Sequence, residues 1–227
     1  MKGHAKTYIL TFLTQLAHKP GSSALEWTRK LGRAGVFLAT MAATVLTPPW
    51  RLNRIVYWIH FVGFKSLGVV FLTGLFTGMV LSLQSYSALS RFGSEAFLGP
   101  LVGLSMVREM GPVLSALIVT GRAGSAIAAE IAVMRNSEQL DAMELMAVNP
   151  FRILIAPILI ATLIALPLLG AFFNVVGIGG GYLVGVELLG VSGGTYFAEM
   201  AARMQMSDIL GGLYKSVTFG ALLAWLS

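Results

Sequence analysis

The sequence predicts an all-α integral membrane protein with about four membrane-spanning helices, and three observations carry that expectation. Apolar residues make up 56% of the 227 positions and charged residues only 11%, against roughly 45–50% and about 25% in an average soluble domain. The charges are also segregated: residues 66–90 and 153–186 hold none, 96–121 hold only Arg108 and Glu109, and 209–227 hold only Lys215. Each stretch is close to or beyond the roughly 20 residues that cross a bilayer as a helix. Finally, the basic residues are one-sided. Lys2, Lys6, Lys19, Arg29, Lys30, Arg33, Arg51, Arg54 and Lys65 all fall in the first 65 positions. With that end in the cytoplasm, Arg122, Arg135 and Arg152 join them, and the outside loops, about 87–107 and 187–208, hold only Arg91 and Arg203. That distribution satisfies the positive-inside rule. The net charge of +6 therefore sets orientation and favours anionic headgroups, with no need of nucleic acid.

Taken in order, residues 1–65 read as helices on the cytoplasmic side and 66–227 as the transmembrane domain, with a cytoplasmic segment at 122–152. Tyr8, Ile9, Phe12, Leu13 and Leu16 recur at helical spacing among Lys2, Lys6 and Lys19, the pattern of an amphipathic helix lying in the interface. The apolar stretch 34–47 is too short to cross before Pro48-Pro49, so an interfacial or re-entrant elbow is expected. The first span carries Gly74 and Gly78, a small-xxx-small step that lets helices approach closely. The same spacing recurs at Gly99/Gly103, Gly177/Gly181 and Gly181/Gly185, and tight packing is its ordinary meaning. The stretch 153–186 would reach about 51 Å as a helix against a core of about 30 Å. One tilted span is expected there, kinked by Pro157 and Pro167 and broken near its outer end by the Gly177–Gly181 run. The chain stops at Trp225-Leu226-Ser227 inside an apolar run, which reads as truncation.

Several chemistries are excluded. Without cysteine there is no disulfide framework or thiolate site. No GxxxxGK[ST] loop is present, so ATP is not bound by that route. The run Val191-Ser-Gly-Gly-Thr195 reads as a turn. His4, His18 and His60 have no metal-ligand spacing, and no triad or carboxylate pair points to an enzyme. The tetrapeptide Gly-Arg-Ala-Gly occurs at 32–35 and 121–124 with no similarity beyond it, and reads as coincidence.

Two places call for a functional reading. Arg108-Glu109, followed by Gly111-Pro112, puts ionisable groups at membrane depth, where they are costly and usually face a cavity, pathway or partner. Neighbours on a helix point about 100° apart, so the two are a poor self-pair. The second place is 121–150, with Glu130, Glu138, Asp141 and Glu144. There Met134, Glu138, Asp141 and Leu145 are spaced to form one helical stripe, and Asn149-Pro150 is expected to end the helix. Such a helix, acidic and apolar on one face, can seat in a groove of a soluble partner.

The run Gly121-Arg122-Ala123-Gly124-Ser125-Ala126, then Ala129-Glu130-Ile131, Met134-Arg135, Glu138-Gln139-Leu140, Ala142-Met143 and Val148-Asn149-Pro150, resembles the signature of the MlaE permease family. The likeness extends back through Gly78-Met79-Val80-Leu81 and Arg108-Glu109-Met110-Gly111-Pro112, and forward to Lys215-Ser216-Val217. Asn149 stands where the family usually has Asp, and Phe92 where tyrosine also occurs. The resemblance implies a homodimeric, non-catalytic permease subunit of an ABC transporter in the bacterial inner membrane, maintaining outer-membrane lipid asymmetry. Each subunit would have an interfacial N-terminal helix and five spans, the fifth missing here. The implied partners are a second copy of the chain, a cytoplasmic ABC ATPase that binds ATP and Mg, a STAS-domain protein, and a periplasmic MCE-domain protein. The chain itself would hold no cofactor. Phospholipid would occupy an outward-facing cavity between the subunits, lined by Leu81, Ala88, Leu89, Phe92, Arg108 and Glu109. Glu130, Met134, Arg135, Glu138, Asp141 and Glu144 would lie on the coupling helix that meets the ATPase. Two rival readings are an ion-coupled secondary transporter working through Arg108-Glu109 and a structural anchor for a lipid-binding protein.

Overall fold

A computed structural model describes residues 26–37, 39–41, 43 and 52–226; the amphipathic helix expected at 7–17 lies outside them. The chain divides into two compact units, Met1–Thr47 and Pro48–Ser227. In the first, the described residues are helical, including those from the apolar stretch 34–47.

The second unit contains four helices long and apolar enough to cross a membrane: Leu52–Phe92, Glu95–Asn136, Phe151–Leu188 and Met206–Leu226. They are the four spans the charge pattern predicts, and the described residues contain no strand. The first is split by a 3-10 turn at Phe64–Ser66 into α1 (Leu52–Val62) and α2 (Leu67–Leu89). The rest are α3 (Glu95–Asn136), α4 (Gln139–Leu145), α5 (Phe151–Leu188), α6 (Gly193–Arg203) and α7 (Met206–Leu226).

The central helix is α5. Its mean hydropathy of 2.6 exceeds the 1.4 to 1.9 of the other three, and a helix apolar on every side belongs inside a bundle. It packs against α1, α2, α3 and α7. Glycines set how closely. A Cβ on Gly78 would overlap the Gly177 carbonyl, and one on Gly180 would overlap the carbonyl of Leu75. The Gly177–Gly181 run therefore does not break the helix, contrary to the sequence expectation; α5 continues to Leu188. Backbone-to-backbone contact with α2 offsets the roughly 1 kcal/mol each glycine costs in helix propensity.

Prolines account for two of the π-turns. Met106–Met110 in α3 and Phe151–Ile155 in α5 are π-helical, and each ends two residues before a proline, Pro112 and Pro157. Proline lacks an N–H, and its ring crowds the carbonyl four residues back. The wider π-turn accommodates that crowding. Two further π-turns, Thr120–Gly124 and Leu183–Leu188, have no such proline.

Both loops placed outside by the charge pattern are shorter than expected. Between α2 and α3 lie only the turn Ser90–Phe92 and a short bend in which Gly93 has φ 62°, and Leu98–Ser105 is already helical. The reason is packing: a Cβ on Gly99 would overlap the Tyr196 carbonyl, and one on Gly103 would lie 2.6 Å from Met200 Sδ. Both partners belong to α6, which fills the other loop. Val191–Thr195 is not a free turn but the start of that helix, with Thr195 N–H donating to Ser192 Oγ at 3.5 Å. Tyr196 is buried and donates to the Ile178 carbonyl at 3.4 Å. Burial pushes its hydroxyl up to about 12, so it remains a donor.

The polar segment departs most from expectation. A single stripe through Met134, Glu138, Asp141 and Leu145 does not exist, because the helix breaks at Ser137-Glu138. Ser137 N–H and Oγ both donate to the Val133 carbonyl, at 3.0 and 2.8 Å, and Glu138 takes φ 56°. After α4 the chain closes a Schellman motif, with Val148 N–H on the Met143 carbonyl and Ala147 N–H on the Glu144 carbonyl, both at 2.9 Å. Ala147 sits at φ 58° where glycine is usual. Asn149-Pro150 does not stop this helix but starts the next: Phe151 N–H donates to Asn149 Oδ1 at 2.9 Å, an N-cap followed by proline in the first turn.

Candidate functional site: a charge network between two spans

The site begins with a missing N–H. In a regular helix the Arg108 carbonyl would accept from residue 112, which is proline. Lys215 of α7 supplies the replacement, donating from Nζ to the Arg108 carbonyl at 2.9 Å. The same ammonium donates to Glu109 Oε1 at 2.6 Å. Two turns closer to the start of α7, Asp208 Oδ1 accepts from Arg108 Nε at 2.8 Å and Nη2 at 2.5 Å, and its Oδ2 accepts from Gln205 N–H at 3.0 Å. Asp208 and Lys215 are seven residues apart and share a helix face. They meet Arg108 and Glu109, which the π-turn turns toward α7.

Two positive and two negative groups thus cancel, the condition under which charge is tolerated at membrane depth. Their burial differs. The Asp208 side chain is 5% exposed and Arg108 56%, while Glu109 is 60% and Lys215 43% exposed. Asp208 is the buried anchor, and the other three reach the open side. With Nε and Nη2 engaged, Arg108 keeps Nη1 available to an anion, and Lys215 keeps one ammonium proton. The surface is suited to a phosphodiester.

Beside the network, a crevice of about 230 Å³ runs among α3, α5 and α7, lined in part by Val107, Pro112, Asn174, Ile209, Gly212 and Ser216. Asn174 Oδ1 is buried without a partner and lies over Gly111, where a Cβ would overlap it.

The sequence-predicted residues are distributed as follows. Arg108 and Glu109 lie together in the network. Leu81 and Leu89 are half-buried, and Ala88 and Phe92 exposed, near the end of α2 and in the turn after it; no hydrogen bond or ion pair among the described residues joins them to the four charges. In the polar segment Glu130, Arg135, Glu138, Asp141 and Glu144 are exposed and Met134 is half-buried. They are divided between the end of α3, the break and α4 rather than carried on one helix. Leu145 and Met146, 90% and 67% exposed, close that segment with an apolar tip. Sequence reasoning passed over Asp208, one residue outside the apolar run 209–227. The available signal was its spacing of seven from Lys215, which mirrors in opposite sign the Arg108-Glu109 pair.

A bundle of spans that holds a neutral charge network on one buried carboxylate and carries an acidic, apolar-tipped segment between two of them is a multi-pass membrane protein of the permease class. Its relatives agree. Residues 55–227 match the family described as Permease MlaE, and the chain belongs to that family. It is 42% identical over 222 residues to the intermembrane phospholipid transport system permease protein MlaE of Haemophilus influenzae, covering 96% of this chain and 83% of that one. A probable ABC transporter permease protein of Rickettsia prowazekii is 38% identical over 215 residues, 95% of this chain and 83% of its own. One from Synechocystis is 34% identical over 176 residues, with 77% and 67% covered.

Proposed function

We propose that this protein is the permease subunit of an ABC transporter that moves phospholipid between membranes, with its first residues in the cytoplasm of a bacterium and its spans in the inner membrane. The observation that carries this reading is the network of Arg108, Glu109, Asp208 and Lys215 in a member of the MlaE family: two cationic donors suited to a lipid phosphate, Arg108 held by the buried Asp208 carboxylate and Lys215 by the exposed Glu109. The chain is non-catalytic. ATP and Mg belong to a cytoplasmic ATPase that docks on the segment containing Glu130, Met134, Arg135, Glu138, Asp141 and Glu144. A second copy of the chain completes the cavity, whose apolar wall includes Leu81, Ala88, Leu89 and Phe92. A STAS-domain protein and a periplasmic MCE-domain protein complete the assembly.

Native mass spectrometry of the protein purified with its neighbours in mild detergent tests this reading. Two copies of the chain, two ATPase subunits and bound phospholipid are expected. A lone chain with neither ATPase nor lipid refutes it. Glu138→Lys reverses an exposed charge between the two helices of the docking segment, and it should reduce ATPase co-purification while leaving the spans folded.

A further inference from the structure

Arg122 belongs to none of the groups assigned above, yet it makes three contacts across the bundle. It lies in the π-turn Thr120–Gly124. Its Nε donates to Ser66 Oγ at 3.0 Å, and its Nη2 donates to the Phe61 carbonyl. The guanidinium carbon lies 5.2 Å from the centroid of the Phe61 ring. Each acceptor marks the break between α1 and α2. Phe61 is the penultimate residue of α1, so its carbonyl is among the last four that a helix cannot satisfy itself. Ser66 is buried at the first position before α2, and its own hydroxyl donates to the Val62 carbonyl at 2.6 Å. No carboxylate lies within ion-pairing distance of Arg122 among the described residues. Lys65, its cationic neighbour, lies 5.1 Å from the same ring. The guanidinium is held by a carbonyl, a hydroxyl and a ring face, all from one elbow.

The position of this contact gives it a consequence. Arg122 is three residues before the helical stretch Ser125–Asn136 that leads into the docking segment. Helices kink at π-turns, so a force applied to 125–145 would be absorbed there by bending. A two-pronged tie from inside the π-turn to the α1–α2 break carries the force past that weak point. Arginine suits the task because its planar fork holds two acceptors in fixed geometry, whereas lysine is a single point charge.

We propose that Arg122 is a positioning residue for transport: it clasps the α1–α2 elbow to the root of the polar segment, so that displacement of the segment moves α1 and the start of α2 with it. The inference rests on the permease reading. The experiment uses the complete transporter reconstituted in vesicles with a fluorescent phospholipid, and reads lipid moved per ATP hydrolysed. Arg122→Gln should lower that ratio by about tenfold, the equivalent of one charge-assisted hydrogen bond, while ATP hydrolysis per assembled complex persists. Arg122→Lys should fall between the two, and Ser66→Ala, which removes one acceptor, should lower the ratio by about threefold. An unchanged ratio in Arg122→Gln overturns the proposal. So does a parallel fall in transfer and hydrolysis that tracks the amount of folded complex, since that is a merely structural role. Should Arg122→Gln not fold, spin labels at the exposed positions 56 and 132 provide the second measurement. On nucleotide binding the two labels should move together in the parent and separate in Ser66→Ala; identical behaviour overturns the clasp. A parent transporter that moves no phospholipid at all overturns instead the functional reading beneath it.

Discussion

Replacing Asp208 by asparagine is the most informative perturbation of the charge network, because it keeps the shape of the side chain and removes only its charge and one acceptor. The carboxylate now receives two N–H groups from Arg108 and one from Gln205. Hydrogen bonds to a charged group contribute about 1.5–3 kcal/mol and neutral ones about 1. In Asp208→Asn the two Arg108 bonds become weaker, and an amide NH₂ opposes the Gln205 N–H. Full burial of both partners would put the loss at about 3–5 kcal/mol, but the Arg108 side chain is 56% exposed and solvent recovers part of it. The expected loss is about 2 kcal/mol, or about 4–8 °C in melting temperature for a chain of this size. Equilibrium unfolding in mild detergent measures it. A double-mutant cycle with Arg108→Gln should return a coupling of about 1.5 kcal/mol. The cycle for Glu109→Gln with Lys215→Gln should return only about 0.5 kcal/mol, because both side chains are substantially exposed. Additive effects at Arg108 and Asp208, or equal couplings for the two pairs, would refute the assignment of Asp208 as the buried anchor.

Two neighbouring glycines of α5 should respond in opposite senses. Nothing lies within 4 Å of a Cβ on Gly179, so Gly179→Ala should stabilise by about 0.5–1 kcal/mol through helix propensity; Gly180→Ala drives a methyl into the Leu75 carbonyl and should destabilise by about 1–3 kcal/mol, and thermal unfolding of the pair checks both signs. Ala147→Gly relieves a left-handed residue in the Schellman motif and should stabilise α4 locally by about 1 kcal/mol, seen as slower hydrogen exchange across 139–145.

The number of spans was legible because it depends on composition, and Arg108-Glu109 stood out as a pair in need of partners, because charge in an apolar run has few innocent explanations. The partners of that pair were not legible. They lie about 100 residues away, and only tertiary packing decides which face of α7 meets the π-turn. The glycines show the limit from the other side: small-xxx-small spacing marked Gly177 and Gly181 correctly as close-contact positions, but local propensity alone also made them a helix break. The contact with α2 decided between the two. At Ser137-Glu138 the periodicity itself misled, since apolar and acidic residues keep helical spacing through a break that a serine back-bond and a left-handed glutamate introduce. Asn149-Pro150 was read with the right chemistry in the wrong direction, as a stop signal for one helix when the same two residues begin another.

The π-turns in α3 bear on how any related sequence is compared with this one. Each π-turn accommodates one residue more than regular α-geometry and so shifts the angular phase of everything after it by about 100°. A helical wheel drawn through 95–136 without correction is therefore about 100° out beyond residue 110 and about 200° out beyond residue 124. By that count Gly103 and Arg122, which press on different neighbours, belong to different phases of the same rod. A relative that lacks the extra residue at 106–110 would align without difficulty on both flanks, yet present another face to the helix bearing Asp208 and Lys215. Single-residue gaps inside this span are thus rotations of one half of the helix against the other, and they carry information about which side chains face the charge network that residue identity alone does not.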